Sequence, residues 1–341
     1  MAIDFTIKKV TARFLDPTDG FADKERGIEY RIDPLTGEMG MVRDLRYPNP
    51  PAPDLTSLIE KSRERCPFCP GTVEETTPRF ISAFREEGHI RVNEARVFPN
   101  LFPYNRYGAV TVISREHYVG LSSFTVPMLT DAFRASREYL KTVSAYDPKS
   151  KYCGIMWNCF PPANASQIHP HQQPFAGPFP LSYHKNLLTR SKRFFRKEGT
   201  SYWDELIREE KKRGERYIGE IGKTAWMTSF VPRSFQMDVR VVFQQRPTIM
   251  SLADSDLRDL AEGLTRLFAY MAEQHYYSFN FFLYSGLEGD DSFRTQARII
   301  QRGPIPYIDI SDGANATLLG DTFMSIRSPE YVAEGVRPHF S

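Results

Sequence analysis

The spacing of apolar and polar positions changes several times along the chain. From Thr125 to about Tyr146, apolar residues recur at three- and four-residue intervals, which predicts an amphipathic helix. Residues 96–114 have the pattern of a strand, a proline-rich loop and a second strand, and a further strand is predicted at about 152–159. The polar segment 169–173 follows, where extended chain is expected.

The second half of the chain repeats this order. A strand is predicted over 237–244, a helical stripe over 257–271, and strands over 277–284 and 293–300. A repeated order of strand, helix, strand and strand indicates an internal duplication. We therefore predict an α+β fold of two related units, each an antiparallel sheet with a helix packed on it.

The segments outside the repeats carry weaker patterns. Residues 1–30 predict an irregular arm with one or two short strands, and residues 30–54 a turn followed by a proline-rich extended strap. Residues 183–216 carry many charges of both signs, which is typical of a solvated helical connector. Within it a helix is predicted over 201–213, ended by Gly214. The alternative is that its basic residues attract an anionic substrate.

Composition narrows the class of protein. The 341 residues suffice for two domains, which we place at 1–180 and 181–341. A formal net charge of +2 gives no sign of a nucleic-acid partner. The N-terminus is too polar for a signal peptide, and no run of about 18 apolar residues could cross a membrane. With four cysteines and no disulfide framework expected, we predict a cytoplasmic protein.

The pair Cys66 and Cys69 is the first motif with specific chemistry. Two thiolates three residues apart can bind one tetrahedral metal ion, and zinc is the usual occupant. A redox pair is the alternative, but such a pair normally opens a helix, and here Pro70 and Gly71 follow. By itself the motif leaves both interpretations open, and a zinc site needs two more ligands.

Residues 169–173 read His-Pro-His-Gln-Gln and form the second motif. In extended chain, His169, His171 and Gln173 share one face. A neutral imidazole can attack an α-phosphate to form a covalent phosphoramidate. A neighbouring amide can bind the charge that develops on the phosphate oxygens. A functional site is therefore favoured over a purely structural role for the two histidines.

The segment just before this motif is polar and rich in proline. It offers two amides and one hydroxyl, all suited to binding phosphate: Asn158, Asn164 and Ser166.

With these motifs, the chain resembles the galactose-1-phosphate uridylyltransferase family. This branch of the histidine-triad superfamily carries His-Pro-His-x-Gln where other members carry three alternating histidines. The similarity spans about residue 27 to about residue 335. Four further segments resemble family motifs: 31–37 with the phosphate-binding Arg46, the zinc cysteines at 66 and 69, the nucleoside-binding segment 97–100 that ends in Asn100, and 114–117 that ends in the zinc ligand His117.

The resemblance implies a fold, a metal and an activity. It implies two fused histidine-triad domains, commonly assembled as a homodimer. It implies one structural zinc ion per chain, and His171 as the nucleophile with Gln173 and Ser166 at the phosphate. The implied zinc ligands are Cys66, Cys69, His117 and His169. The implied substrate-binding residues are Arg46, Asn100, Asn158, Asn164, Ser166 and Gln173.

Several positions depart from the family pattern. Gln296 and Arg298 stand where the second half often has a metal-binding His-x-His pair, and residues 179–182 lack the expected acid, so no second metal is expected. Gly320 is followed by Asp321, not by the Tyr-Glu pair that recognises the sugar. On an extended segment Asp321 would face the wrong side, so galactose 1-phosphate is not the expected acceptor. Asn164 replaces a family glycine.

The sequence thus predicts a nucleotidyltransferase. A uridylyl or adenylyl group would pass from a UDP- or ADP-type donor to a phosphorylated acceptor, through a covalent nucleotide on His171 and with ping-pong kinetics. One alternative is a nucleotide-sugar or dinucleotide phosphorylase or hydrolase of the same superfamily. Another, of a different class, is a non-catalytic, zinc-stabilised nucleotide-binding scaffold. The sequence does not separate uracil from adenine.

Overall fold

A computed structural model describes residues 3–303 and 315–341. Its strands are β1 (Thr6–Asp16), β2 (Ala22–Ile32), β3 (Met39–Val42), β4 (Ile90–Val92), β5 (Ala95–Pro99), β6 (Tyr107–Val112), β7 (Tyr152–Cys159), β8 (His171–Gly177), β9 (Tyr217–Ile221), β10 (Thr224–Thr228), β11 (Asp238–Phe243), β12 (Ser278–Tyr284), β13 (Gln296–Arg302) and β14 (Phe323–Ser325). Its helices are α1 (Thr56–Arg63), α2 (Val73–Thr76), α3 (Val126–Tyr146), α4 (Ser182–Glu198), α5 (Tyr202–Arg213), α6 (Asp254–Glu273), α7 (Asn315–Leu318) and α8 (Pro329–Val336).

Ten of these strands form one antiparallel sheet in the order β4-β5-β6-β8-β7-β12-β13-β11-β10-β9. The two halves of the chain meet in its middle, where β7 pairs with β12 so that Trp157 faces Phe281 and Asn158 faces Asn280. On either side of this pair the order is mirrored, β8-β6-β5 against β13-β11-β10. The predicted α+β class with antiparallel sheets is confirmed.

The two long helices cover one face of the sheet. In α3, Thr125 caps the N-terminus by accepting a hydrogen bond from the backbone of Met128, and a continuous stripe of its side chains is buried. Helix α6 packs beside α3, and Gly263 lets it approach the sheet, because a Cβ there would lie 2.0 Å from the ring of Trp226. A single hydrophobic core therefore runs under both halves.

The opposite face of the sheet is built differently in the two halves. We call it the site face; it carries Asn158, His171 and Asn280. In the second half, α4 and α5 cover this face with a second hydrophobic core that includes Leu187 and Trp203. In the first half, the segment that contains Cys66 and Cys69 lies over it instead. The two halves share one sheet and one core, and the division at residue 180 stays a prediction.

Two predictions about the segments outside the repeats were wrong. The N-terminal arm is not irregular: β1 and β2 form an eleven-residue-pair hairpin, and with β3 and β14 they make a second, four-stranded sheet. Almost all of β1 and about half of β2 is exposed, so the two strands lack the apolar alternation that reveals a half-buried strand. The connector over 183–216 is helical as predicted, but it is not simply solvated, because α4 and α5 bury apolar side chains against the sheet.

Other predictions were confirmed closely. Helix α5 begins after Ser201, which caps it, and ends at Gly214 with φ of 69°. The predicted strands of the second half correspond to β11, β12 and β13. Across the described parts of the chain, none of the helices has both the length and the apolar character needed to span a membrane.

Candidate active site

Four side chains from three separate segments converge beside the site face. Cys66 and Cys69 come from the loop between α1 and α2, His117 from the turn after β6, and His169 from the residues just before β8. One ligand atom of each lies within 4.8 Å of all the others. Among residues 3–303 and 315–341, the structure thus brings together all four metal ligands that the sequence suggested.

The distances within this cluster fit a tetrahedral zinc site. Nδ1 of His169 lies 3.6 Å from Sγ of Cys66 and 3.8 Å from Sγ of Cys69, and Nδ1 of His117 lies 3.5 Å from Sγ of Cys69. Zinc–sulfur bonds of about 2.3 Å and zinc–nitrogen bonds of about 2.0–2.1 Å at tetrahedral angles place N and S about 3.6 Å apart. The residues present therefore fit the metal.

The second nitrogen of each histidine has its own hydrogen-bond partner. Nε2 of His169 lies 2.8 Å from the carbonyl oxygen of Ser114, which can only accept, so this nitrogen carries the proton. Nε2 of His117 lies 2.8 Å from Oγ of Ser62, whose hydroxyl also lies 2.9 Å from the carbonyl of Ile59. These contacts leave both Nδ1 lone pairs directed at the cluster, as metal binding requires.

Burial favours the same protonation states of the imidazoles. It lowers the pKa of His169 to about 4 and also lowers the pKa of His117, so both rings are neutral near pH 7. Burial raises the pKa of the Cys66 thiol to about 11. A thiolate there needs a bound cation to compensate for its lost hydration.

His171 begins strand β8, two residues after His169. Its Nδ1 donates to the carbonyl oxygen of His169 at 2.9 Å, and burial lowers its pKa. Within the described residues, its Nε2 has no hydrogen-bond partner. The ring of Phe68 packs edge-on against His171, with centroids 5.4 Å apart. His169 therefore links the metal cluster to His171, since its ring faces the cluster and its carbonyl orients the ring of His171.

Strand β8 separates the two glutamines onto opposite faces. Gln172 is fully buried, and its Oε1 accepts from Ser136 of α3 at 3.0 Å, so it points toward the helices. Gln173 pairs with Met156 of β7 and lies on the site face with His171. The expected shared face of 169, 171 and 173 holds for the last two, which lie in β8, whereas His169 precedes the strand.

The polar loop before β8 also approaches the site face. Phe160 has φ 71° and ψ 162°, a conformation that non-glycine residues rarely adopt, and its carbonyl accepts from the backbone of Ala163 and Ala165. Asn164 has φ 65°, which explains how asparagine can stand where the family has glycine. Ser166 is exposed at the end of this loop.

Two predicted substrate-binding residues do not contact His171. Arg46 is 60% exposed, pairs with Asp44 and lies over the ring of Tyr331 in the region of the smaller sheet. Asn100 follows β5, and its backbone N–H donates to the carbonyl of Gly108 in β6. His171 pairs with Val112, four residues farther along β6, so the two pairing positions lie about 13 Å apart along the strand.

In the second half, the site face is filled by a buried ion pair. Arg298 donates to Asp238 through Nε at 2.8 Å and Nη2 at 2.6 Å, and to the hydroxyl of Tyr183 at 2.9 Å. The charge of Asp238 holds the pKa of Arg298 above its usual range despite burial. Gln296 accepts from Arg240 on the same face. These residues occupy the place where the family pattern has a second metal-binding pair.

The prediction that Asp321 lies on an extended segment was wrong. The residue is not on an extended segment: it has φ of 46° in the turn between α7 and β14, and its side chain is exposed. In this turn the N–H of Thr322 bonds back to the carbonyl of Ala316. A left-handed turn position was not recognisable from the alternation rule that we applied.

Several residues that shape the site were not predicted from the sequence. Phe68 was noticed only as part of the cysteine motif, and Ser62 lies in α1 with no local signal. Asn280 of β12 and Arg302 of β13 belong to the second half. Asn280 donates to Asn158 and to the carbonyl of Ala163 in the loop before β8, and Arg302 donates to Asn280. Only strand pairing brings them there, so no pattern within either segment could have indicated them.

Comparison with known proteins agrees with this architecture. No model of a protein family matches the chain. An uncharacterised protein from Archaeoglobus fulgidus is 31% identical over 319 residues, which cover 93% of this chain and 94% of that protein. Three solved structures each cover 91% of this chain and 98% of their own: a GalT-like protein from Arabidopsis thaliana (TM-score 0.70, 19% identity), an ADP-glucose phosphorylase from the same plant with bound ADP-glucose (0.69, 20%), and a uridylyltransferase (0.68, 19%).

The resemblance seen in the sequence is thus confirmed at the level of the fold. The chain belongs to one family with the Archaeoglobus fulgidus protein, and it has the fold of the GalT-like proteins and uridylyltransferases.

Proposed function

We propose that this protein is a nucleotidyltransferase that carries a nucleoside monophosphate on Nε2 of His171. The observation that carries the proposal is the hydrogen bond from Nδ1 of His171 to the carbonyl oxygen of His169. A carbonyl only accepts, so Nδ1 holds the proton and the lone pair of the neutral ring resides on Nε2. A buried, oriented imidazole with that nitrogen unpaired is suited to nucleophilic attack.

The first half-reaction uses this lone pair. Nε2 attacks the α-phosphorus of a nucleoside diphosphate-type donor, an N–P bond forms, and the bond from phosphorus to the bridging oxygen breaks. The phosphorylated group leaves with the electron pair. The carbonyl of His169 stabilises the positive charge that develops on the ring, because the proton on Nδ1 stays hydrogen-bonded to it.

The second half-reaction reverses the chemistry with another acceptor. A phosphate oxygen of the acceptor attacks the same phosphorus, and the N–P bond returns its electrons to Nε2. No net proton is gained or lost by His171, so one residue serves both steps and ping-pong kinetics are expected. We assign Gln173, Asn158 and Ser166 as hydrogen-bond donors to the phosphate oxygens.

The metal has a supporting role in this proposal. Cys66, Cys69, His117 and His169 would hold zinc with all four positions filled by protein, which is the pattern of a structural site. Fixing the ring of His169 also fixes its carbonyl, and therefore the orientation of His171. One zinc ion per chain is proposed.

Donor and acceptor are proposed only by class. The donor is a UDP- or ADP-type nucleotide, and the acceptor is a phosphorylated small molecule. Arg46 and Asn100 are assigned to substrate binding by resemblance alone. A homodimer is expected on the same basis. With inorganic phosphate as acceptor, the same intermediate gives a phosphorylase. The solved neighbour that is named an ADP-glucose phosphorylase supports testing that reaction.

A labelling screen tests the proposal. The protein is incubated with UDP-glucose or ADP-glucose labelled in the α-phosphate, then denatured, and retained label is counted. We expect acid-labile label on the wild type and none on His171→Gly, with turnover lowered by at least about 10³ because the covalent route is lost. His339→Asn, distant in the C-terminal turn, is the matched histidine control and should retain label. Label on His171→Gly, or ternary-complex kinetics, would refute the mechanism.

A further inference from the structure

We infer that Asn280, from the second half of the chain, is a positioning residue that decides which atom of Asn158 faces the substrate. The inference rests on the function proposed above. It assigns a task at the active site to a half of the chain that has no His-Pro-His motif of its own.

Strand pairing places the two asparagines side by side. In the register of β7 and β12, Asn280 lies directly opposite Asn158, and both side chains are on the site face. Met156, two residues before Asn158, pairs with Gln173 of β8. Since side chains two residues apart share a face, Asn158 stands between the second half and the residues that surround His171.

A chain of hydrogen bonds crosses these strands in one direction. Nη1 of Arg302 lies 2.7 Å from Oδ1 of Asn280. Nδ2 of Asn280 lies 2.7 Å from Oδ1 of Asn158 and 2.9 Å from the carbonyl oxygen of Ala163. In this arrangement Asn280 uses its oxygen toward Arg302 and its amino group toward Asn158 and the loop.

The chemistry of the end groups fixes this direction. A guanidinium can only donate and a backbone carbonyl can only accept, so the orientation of the Asn280 amide is determined independently from both sides. Its amino group then demands an acceptor, which is Oδ1 of Asn158. If the Asn158 amide were reversed, its amino group would face the amino group of Asn280, and no hydrogen bond could form between them.

The consequence is that Asn158 presents its amino group to the substrate side. Nδ2 of Asn158 has no hydrogen-bond partner within the described residues, whereas its oxygen is engaged. Phosphate oxygens only accept hydrogen bonds, so they need a donor here, and a reversed amide would repel them.

A double-mutant cycle tests this role. The dissociation constants of UMP and AMP are measured by calorimetry for wild type, Asn158→Ala, Asn280→Ala, and the double variant. We expect Asn158→Ala to weaken binding of the preferred nucleotide about tenfold to hundredfold, as for a hydrogen bond to a charged group. Asn280→Ala should weaken it less, and should add no more than about twofold once Asn158 is absent, because it acts through Asn158.

Asn280→Asp gives the sharper readout. A carboxylate only accepts, so the Asn158 amide must reverse to donate to it, and binding should weaken more than in Asn280→Ala. The effect of the added charge alone is measured by making the same change in the Asn158→Ala background. Ser278→Ala is the matched control: it removes a buried bond from β12 to the carbonyl of Cys159 and should lower the melting temperature but leave nucleotide affinity within about twofold.

The outcomes separate this inference from the proposed function. If the wild type binds and transfers a nucleotide but Asn280→Ala and Asn158→Ala weaken binding independently, the relay is wrong and the function stands. Equal affinities for Asn280→Asp and Asn280→Ala, after correction for charge, would also overturn the relay. If the wild type binds neither UMP nor AMP, the proposed function fails and this inference fails with it.

Discussion

Replacing Ser62 with alanine should weaken zinc binding although Ser62 is not itself a ligand. Its hydroxyl lies 2.9 Å from the carbonyl of Ile59, so the oxygen is available as an acceptor for Nε2–H of His117 at 2.8 Å. This contact holds the tautomer in which Nδ1 of His117 is directed at the metal cluster. Alanine removes the acceptor without adding bulk.

The expected size of the effect follows from the burial of His117, which is 1% exposed. A buried donor left without an acceptor costs about 1–3 kcal/mol. In the metal-free protein the ring can change tautomer, so most of this cost falls on the metal-bound state. The zinc dissociation constant should therefore rise about tenfold to hundredfold, the range typical for the loss of a group that orients a metal ligand.

Competition between the protein and a chromophoric chelator, at fixed pH, measures this dissociation constant. Ser123→Ala is the matched control, because Ser123 is exposed in the turn after His117 and makes no side-chain contact with the cluster. Zinc affinity of Ser62→Ala within about twofold of the wild type would refute the tautomer argument, and absence of zinc from the purified wild type would refute the site.

Three further predictions concern the metal, the second half and the acceptor. Cys66→Ser should lose the zinc and melt at a lower temperature, because structural zinc contributes directly to folding; metal analysis and a thermal scan check this. Asp238→Asn should destabilise the protein by about 3–5 kcal/mol in urea unfolding, since it leaves the charge of Arg298 buried without a counterion. The matched control for Asp238→Asn is Asp44→Asn, at an ion pair whose side chains are 60% and 41% exposed, which should cost at most about 1 kcal/mol. Galactose 1-phosphate should be a poor acceptor in exchange with UDP-glucose.

Each of these has a contrary result. Unchanged melting and full activity of Cys66→Ser would exclude a structural metal. A loss below about 1 kcal/mol for Asp238→Asn would mean that Arg298 reaches water or another anion. A specificity constant above roughly 10⁵ M⁻¹s⁻¹ for galactose 1-phosphate, typical of an enzyme on its own substrate, would show that sugar recognition survives without the Tyr-Glu pair.

Sequence patterns predicted elements best where one face of an element is buried. Helices α3 and α6 each bury a continuous stripe, so their helical periodicity is strong. Strands β7 and β12 lie in the middle of the large sheet and bury most of their residues, so they stand out as short, largely apolar runs. The β1–β2 hairpin is held by strand pairing while its side chains stay largely exposed, which leaves no such pattern. Helix α4 buries only a few side chains, so its charges dominated the interpretation.

The sequence by itself determined the chemistry available to this protein. The spacing of Cys66 and Cys69, and the alternation of His171 and Gln173, are set by geometry within a few residues, and these short-range rules do not depend on the rest of the fold. The same motifs revealed the resemblance that supplied His117 and His169 as the remaining ligands.

Only the tertiary structure decided how these groups are oriented. The proton positions on His169 and His117 follow from contacts with Ser114 and Ser62, and the direction of the Asn158 amide follows from Asn280, 122 residues away. The filling of the second-half site face by α4 and α5 likewise depends on packing between distant segments. Hydrogen-bond direction and face coverage are properties of groups brought together across the sheet, so no local pattern in the chain contains them.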